Sequence, residues 1–578
     1  MQQAGGVRFV ARLSAAERVG IESDSHLLPP PYLITKASRS VATSPDLAPI
    51  PDTAVPAPDE RRYLPLLVLA FGLANLTAFA RDAVIAAVFG AGARTDAYFV
   101  GVFLPTLVGT ILVYESVVPA LLPVLARHVH AGVPTRRLLV VVLGGCSAIL
   151  CATLAAIWLE SVPAVGLLAH GWGHAEVADA AALLRITACS MIPMGLGAVL
   201  ATELNVRQRF FTPPLGMALM NLTTAAATVG LSGSLGTFAP AWGMLAGSVL
   251  YLALQVWTVR RLSPRGDGGA GISPAVAVAR AAVPMFLFST LLQNVVIVER
   301  WLASALPAGQ ISYLSYAAKL MMSPLLVVTA AGGVLAFVAM SKANVSDDPA
   351  ALRVSLVRSV RSLVLLLMPA TLVLIIDRRF VVELALQHGR FTGHDTTVTA
   401  TLLAIYSLGL IPNGIAWLLY RSLQSRGRYW EAVRIAGIVA AAYVVTVVVL
   451  FHRWQLAGIA AAFPISQVIA CLVLYVKQPA HLRLSAGAAI RFVVPATLLG
   501  GIMTLAFSGI AASTAALAID PDVAAGLALL GSGAFILLAL SVGTRLLLPA
   551  DAVPFRRPSG PVAAGRSHPL ARDRLSAP

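Results

Sequence analysis

The sequence predicts an all-α polytopic membrane protein, with about fourteen transmembrane helices in two six-helix lobes around a central cavity, plus a C-terminal helical pair. Three observations carry that prediction. The 578-residue chain is 58% hydrophobic, with a mean hydropathy of +0.82. Only 12% of it is charged, against about 25% in soluble domains. The two halves also share a rhythm, each holding roughly six long apolar segments whose second connection is basic.

Apolar runs broken by polar or Gly/Pro clusters place helices at about 63–90, 97–125, 137–159, 181–204, 213–232, 238–259, 281–304, 311–340, 357–376, 397–420, 432–451, 456–476, 488–511 and 523–546. Residues 61–270 read as the N-terminal lobe with spans 1–6, 271–480 as the C-terminal lobe with spans 7–12, and 481–548 as spans 13 and 14. Residues 1–60 are rich in Pro, Ala and Ser with little to bury, so they read as a disordered cytoplasmic extension; they lack the apolar core of a signal peptide. Residues 549–578 read as a similar tail.

Charge sets the orientation. The formal net charge is +16. If the N-terminus is cytoplasmic, the even connections carry Arg136, Arg137, Arg207, Arg260, Arg261, Arg426, Arg428 and Lys477 among others. The odd connections carry only Arg94, Arg378, Arg379, Arg390 and Arg453. That asymmetry places both termini of a multi-pass protein in the cytoplasm with an even number of spans, and the odd connections would face the periplasm in a bacterium. It also accounts for the basic excess without nucleic acid. The four cysteines lie in apolar segments with neither disulfide spacing nor a CxxC, so they read as small core residues.

Ionisable residues inside the apolar segments are the informative ones, since each costs at least about 2.5–3.5 kcal/mol near the bilayer centre. In "FARDAVIAAVFG", Arg81 and Asp82 follow apolar helix from Tyr63 and sit roughly 27 Å along it, toward the periplasmic half. Adjacent helical residues point about 100° apart, so each is expected to seek a partner other than its neighbour. Arg81 could simply snorkel to the outer headgroups while Asp82 meets a local packing need. The alternative, taken forward, is a cavity-lining cation that meets an anionic headgroup. A Gly-rich turn follows, with Thr95 or Asp96 placed as N-cap of the second helix, and capping alone would explain Asp96. Pro105 bends that helix and frees a carbonyl.

Glu115, in "LVYESVVP", is a further intramembrane acid. In the seventh span, Gln293, Asn294, Glu299 and Arg300 form a polar stripe about two turns long. Glu299 and Arg300 read either as outer-interface residues beside the belt residue Trp301, or as a gate salt bridge or ion-coupling carboxylate. His388, Arg390, His394 and Asp395 cluster in "QHGRFTGHD", but the segment reads as a helix end, a Gly turn and a Thr392 or Asp395 cap, without zinc-ligand spacing. No metal site is expected. No nucleophile elbow, P-loop or Rossmann glycine pattern occurs in usable context, so the chain does not read as an enzyme.

The segment "RDAVIAAVFGAGARTDAYFVGVFLP" resembles the first two helices of the MurJ/MviN family of lipid II flippases, within the multidrug/oligosaccharidyl-lipid/polysaccharide exporter superfamily. The pattern of R-D, then G-A-G, then T-D-A-Y-F, then L-P carries it, and similarity continues in "LNVRQRFFTPP", "LPAGQISYLSYAAKLMMSPLLVV" and "LQHGRFTGHDTTVTATLLAIYSLGLIP", covering about residues 62–492. The resemblance implies a fourteen-helix, two-lobed transporter. It would carry undecaprenyl-pyrophosphate-linked peptidoglycan precursor across the membrane by alternating access, in cell-wall synthesis and cell shape.

By the same resemblance, Arg81, Asp82 and Asp96 match the family's charged motif. Lys319 is the surviving cation of an acidic-basic pair followed by a glutamate, which stands here as Ala318, Lys319 and Met322. The family's arginine before the R-D pair is Asn75 here, and its arginine pair after L-P corresponds to the stretch Val108, Gly109 and Thr110. Arg81 and Lys319 are therefore expected to attract the pyrophosphate. Asp82, Asp96 and Glu299 would be partners exchanged as the lobes rock. The implied partners are a polyprenyl-diphosphate-linked glycan and the bilayer, with a coupling cation and cell-envelope synthesis proteins left open; no cofactor is implied. Three rivals stand beside this reading: a flippase for an exopolysaccharide or other lipid-linked glycan, a cation-coupled antiporter, and a non-transporting membrane scaffold.

Overall fold

A computed structural model describes residues 60–262, 273–328 and 349–479, with scattered positions between 482 and 509. Every α or π element among the described residues is helical, and no strand occurs there. Nine helices among them are long and apolar enough to cross a membrane, or ten if the bent pair Gly393–Ser407 and Leu410–Gln424 forms one span. The expected spans at 488–511 and 523–546, and both terminal extensions, lie outside the continuously described residues.

The first half is built from α1 (Glu60–Phe89), α2 (Ala93–Gly109), a π-helical segment (Thr110–Val117), α3 (Val118–His130), α4 (Arg136–Leu159), α5 (Ser161–Leu168), α6 (His174–Val206), α7 (Thr212–Leu235) and α8 (Phe238–Leu262). The second half runs through α9 (Ser273–Ala303), α10 (Gln310–Val328), α11 (Pro349–Ile376), α12 (Arg378–Leu386), α13 (Gly393–Ser407), α14 (Leu410–Ser425) and α15 (Tyr429–Lys477). Helices α1–α8 pack mainly on one another, through α7 on α8, α2 on α6, α6 on α8 and α1 on α7. In the second half α15 packs on α9, α13 and α14, and α10 on α13. The halves meet where α9 packs on the π-helical segment and α3, and where α10 packs on α1 and α2.

In lipid the hydrophobic effect does not drive helices together, so small residues that admit close backbone approach do more of the work. Gly243 and Gly247, one turn apart on α8, show this: a β-carbon at Gly247 would lie 2.8 Å from the Cα and carbonyl oxygen of Met220, and one at Gly243 2.8 Å from the Cα of Thr224. The outward faces carry large exposed apolar side chains, including Trp158, Val229, Trp242, Trp257, Val449 and Val476. Such a surface suits an acyl-chain solvent.

Of the span expected at 311–340 only the part in Gln310–Val328 lies within the described residues; elsewhere among them hydropathy located the span-length helices but not their internal geometry. The span expected at 97–125 is an α–π–α run in which Ser116 Oγ donates to the Ile111 carbonyl five residues back, at 2.5 Å. The span expected at 397–420 is two helices bent by 43° across a break at residues 408–409. The spans at 432–451 and 456–476 form one 49-residue run interrupted at Gln455, whose φ of 44° and ψ of −118° are not helical. At 1.5 Å per residue the run would be roughly 74 Å long, more than twice the hydrocarbon thickness, so the kink divides it into two crossings. Short helices α5 and α12 were not foreseen; their eight and nine residues are too short to span.

Candidate functional site

Near the end of α1, Arg81 and Asp82 pair with each other, contrary to the expectation from their angular separation. Arg81 Nη2 lies 2.9 Å from Asp82 Oδ1, and Arg81 Nε donates to the same oxygen at 3.0 Å. The long, flexible arginine side chain folds back across the 100° step, which a short side chain could not do. The expected outside partners are present as well. Arg81 Nη1 donates to Asn221 Oδ1 of α7 at 2.9 Å, and Asp82 Oδ2 receives Lys319 Nζ of α10 at 2.9 Å. Asp82 and Asn221 are both buried. Asn221 Nδ2 in turn donates to the Ala74 carbonyl at 3.3 Å. One carboxylate thus holds a cation from each half of the chain.

Helix α10 organises the second half's contribution. Ser312, Ser315 and Lys319 recur at helical spacing and so share a face. Lys319 Nζ also sits 4.7 Å from the Phe99 ring centroid of α2, a cation–π arrangement. Ser315 Oγ accepts from Arg300 Nη1 at 2.6 Å, and the Arg300 guanidinium lies 5.4 Å from the Phe103 ring centroid. No carboxylate forms an ion pair with Arg300 among the described residues.

Asp96 does not cap its own helix. The N-cap of α2 is Gly92, with no side-chain cap bond. Instead Asp96 reaches the first turn of α10: its Oδ2 accepts from the Gly309 amide at 2.6 Å, and its Oδ1 from the Ser312 amide at 2.7 Å and the Ser312 hydroxyl at 2.5 Å. The capping chemistry is as expected, because a carboxylate satisfies orphan amides at the positive end of a helix dipole. Its target belongs to the other half of the chain.

The same end of the molecule is closed by main chain. The Arg390 amide donates to the Ala87 carbonyl at 2.8 Å. The turn after α12 can come this close because Gly389 stands at φ +59°, where a β-carbon would collide with that carbonyl. Gly90, at φ +72°, faces it, and a β-carbon there would lie 2.8 Å from the Arg390 carbonyl oxygen. Both glycines occupy backbone conformations that L side chains rarely adopt. Beside them His170 stacks on Trp301 with ring centroids 4.4 Å apart, again joining the halves.

The remaining sequence candidates separate. Glu299 is buried and turns toward α13 and α15, accepting from Tyr406 Oη at 3.0 Å and Tyr443 Oη at 3.4 Å. Arg300 turns the other way, to α10, so the two do not form an ion pair with each other. Gln293 is partly buried on α9, and the Asn294 side chain lies outside the described residues. Glu115 is exposed within the π-helical segment, in electrostatic reach of Arg421 on α14. Asp395 caps α13 with Thr392 as expected, and also accepts from Tyr313 Oη at 2.6 Å. Among the described residues no group of three or more His, Cys, Asp or Glu is arranged to hold a metal. Asn75, in place of the family's arginine, only donates to the Phe71 carbonyl of its own helix at 3.0 Å.

Sequence reasoning passed over Asn221, Tyr406, Tyr443 and the serines of α10. Asn221 had a signal: an amide inside the apolar run "GMALMNLTTAAAT" needs a partner as much as a charge does.

Residues 85–519 match the family described as "Lipid II flippase MurJ". Lipid II flippase MurJ of Burkholderia cenocepacia is 27% identical over 357 residues, covering 59% of this chain and 68% of that protein. Probable lipid II flippase MurJ of Rhizobium meliloti is 26% identical over 417 residues, covering 69% and 77%. A solved structure described as "Lipid II flippase MurJ, inward closed conformation" superposes with a TM-score of 0.66 at 22% identity, over 84% of this chain and all of that one. An inward-facing multidrug resistance MATE family transporter superposes with a TM-score of 0.58 at 12% identity, over 75% of this chain and 98% of that one. At these identities the two structures establish a shared fold.

Proposed function

The chain belongs to the lipid II flippase MurJ family, and from that premise we propose that it flips undecaprenyl-pyrophosphate-linked peptidoglycan precursor across the cytoplasmic membrane by alternating access. The observation that carries the reading is Asp82 held between Arg81 of α1 and Lys319 of α10. Two cations sharing one carboxylate leave the trio with a net positive charge. An arriving pyrophosphate, with two or more negative charges, competes with Asp82 for both of them. Transfer of Lys319 from Asp82 to the ligand loosens the contact between the halves, so binding and rearrangement are linked.

In this reading spans 1–6 and 7–12 are two lobes, the last two spans flank them, and both termini face the cytoplasm in keeping with the distribution of Lys and Arg. The end closed by Asp96, Gly90 and Gly389 is then the periplasmic one, and the lipid headgroup enters from the cytoplasmic side. Arg300 of α9 adds a third cation against α10, while Glu115 and Arg421 attract each other across the opposite end. Glu299, enclosed by two tyrosine hydroxyls, is the candidate for coupling to an ion or to membrane potential.

A second reading rests on Asn75 and on the stretch Val108, Gly109 and Thr110, which by the resemblance correspond to the family's arginines. Fewer cations suit a differently shaped or less charged headgroup, such as another lipid-linked glycan unit. Rescue of a bacterium depleted of its lipid II flippase decides between the two. The first reading requires growth with the wild-type chain and none with Arg81→Ala at matched membrane levels. A well-expressed wild type that fails to rescue gives the case to the second.

A further inference from the structure

The kink at Gln455 folds α15 back on itself, and its two ends line one cavity of about 420 Å³. Arg428, Trp430, Glu431, Arg434 and Ile438 come from the start of the helix, and Lys477 from its last turn. That volume is within the ~300–1,000 Å³ of small-molecule sites. The charges divide unevenly. Arg428 Nε is engaged by Glu431 Oε2 at 2.5 Å, whereas Arg434 and Lys477 are exposed and in no ion pair among the described residues. Two unneutralised cations from distant points of the sequence therefore face one hollow.

The hollow opens onto an apolar track. Trp430, Arg434, Ile438, Ala441, Val445 and Val449 follow at steps of three or four residues, and all are exposed. They form one outward stripe on the helix. An aromatic ring and two cations at one end of an apolar stripe have the layout of a phospholipid: phosphate at the interface, acyl chain along the hydrocarbon.

We propose that this cavity binds the phosphodiester headgroup of an anionic phospholipid, with one acyl chain laid along the Ile438–Val449 stripe. The site is separate from the Arg81–Asp82–Lys319 cluster, and its lipid is a resident of the membrane, not the cargo. Its assignment to the cytoplasmic leaflet rests on the orientation proposed above; its chemistry does not.

The test uses the full-length protein, delipidated in detergent and titrated with phosphatidylglycerol, phosphatidylcholine or inorganic phosphate, with bound adducts counted by native mass spectrometry. Phosphatidylglycerol should be retained at least about fivefold better than phosphatidylcholine, and an R434Q/K477Q double variant should lose that preference. R434K/K477R should keep it, as should Arg453→Gln beside the kink, at the other end of the crossings. Equal retention of the two lipids by the wild type overturns the proposal, as does a monodisperse R434Q/K477Q protein that binds like the wild type. Displacement of phosphatidylglycerol by millimolar inorganic phosphate makes the site a free-phosphate site and also overturns it. If R434Q/K477Q is not monodisperse, the wild-type lipid comparison decides alone. Because the readout is binding, failure here leaves the rescue experiment untouched, and failure of rescue leaves this result untouched.

Discussion

Lys319 Nζ and Asp82 Oδ2 stand 2.9 Å apart although 237 positions of sequence separate them, and the bond ties the second half of the chain to the first. It is made by a buried carboxylate and a partly exposed ammonium, so one end is fixed and the other can leave. That asymmetry leads to the first prediction.

Lys319→Met should abolish rescue of a flippase-depleted strain, while Lys319→Arg should restore it at least in part, since a cation is retained. The accompanying loss of stability should be small, about 1 kcal/mol, because half-exposed ion pairs are screened. Thermal unfolding in detergent reads the second quantity. A large fall in Tm together with the growth defect would assign Lys319 to the scaffold instead.

Asn221→Leu removes the acceptor of Arg81 Nη1 and should cost roughly 1–3 kcal/mol, as a part-buried charged donor is left without that partner. Asn221→Asp keeps an acceptor for Arg81 and should lose less Tm than leucine, but it cannot donate to the Ala74 carbonyl and its charge cancels the net positive charge of the Arg81–Asp82–Lys319 trio, so it should rescue poorly. The comparison is of detergent Tm and rescue at equal expression. Equal tolerance of leucine and aspartate would show that Arg81 needs no help from α7.

Asp96→Asn should loosen the junction of the halves. An amide offers one acceptor oxygen where the carboxylate uses two, and its NH2 would face the Gly309 or Ser312 amide. Spin labels at R94C and H394C, in a background without the four native cysteines, should report a longer distance population in the variant than in the parent. An unchanged distance distribution would mean that Asp96 does not hold this junction shut.

Gly389→Ala places a methyl group against the Ala87 carbonyl at a positive φ, with a cost of about 1–3 kcal/mol. The same pair of labels should separate, and Gly393→Ala, where a β-carbon meets nothing within 4 Å, is the matched control. Identical spectra from the two variants would contradict the close approach.

Much of this was legible in the sequence, and what was not had physical reasons. Apolar runs reported the nine or ten span-length helices among the described residues because hydrocarbon demands length and hydrophobicity, and both are compositional. The π-helical turns at Thr110–Val117 and the reversal at Gln455 are matters of dihedral angle, to which hydropathy is blind. Arg81, Asp82 and Lys319 stood out as charges in greasy surroundings. Asp96 was seen but misdirected, since a cap of its own helix and a cap of a helix more than two hundred residues away place the same residue type at the same kind of position. Asn221 passed unnoticed because, unlike Gln293 and Asn294, it has no charged residue near it in its apolar run.

The bond from the Arg390 amide to the Ala87 carbonyl, seated on two glycines, is peptide meeting peptide. Neither group titrates in water or carries a charge that salt can screen. This one bond is therefore indifferent to acidity and salt, unlike the Asp96 carboxylate that holds the Gly309 and Ser312 amides at the same end. On the alternating-access reading proposed above, the peptide contact itself would answer only to movement, and a chemical signal to part this end would enter through charged groups, Asp96 beside it and the Arg81–Asp82–Lys319 cluster.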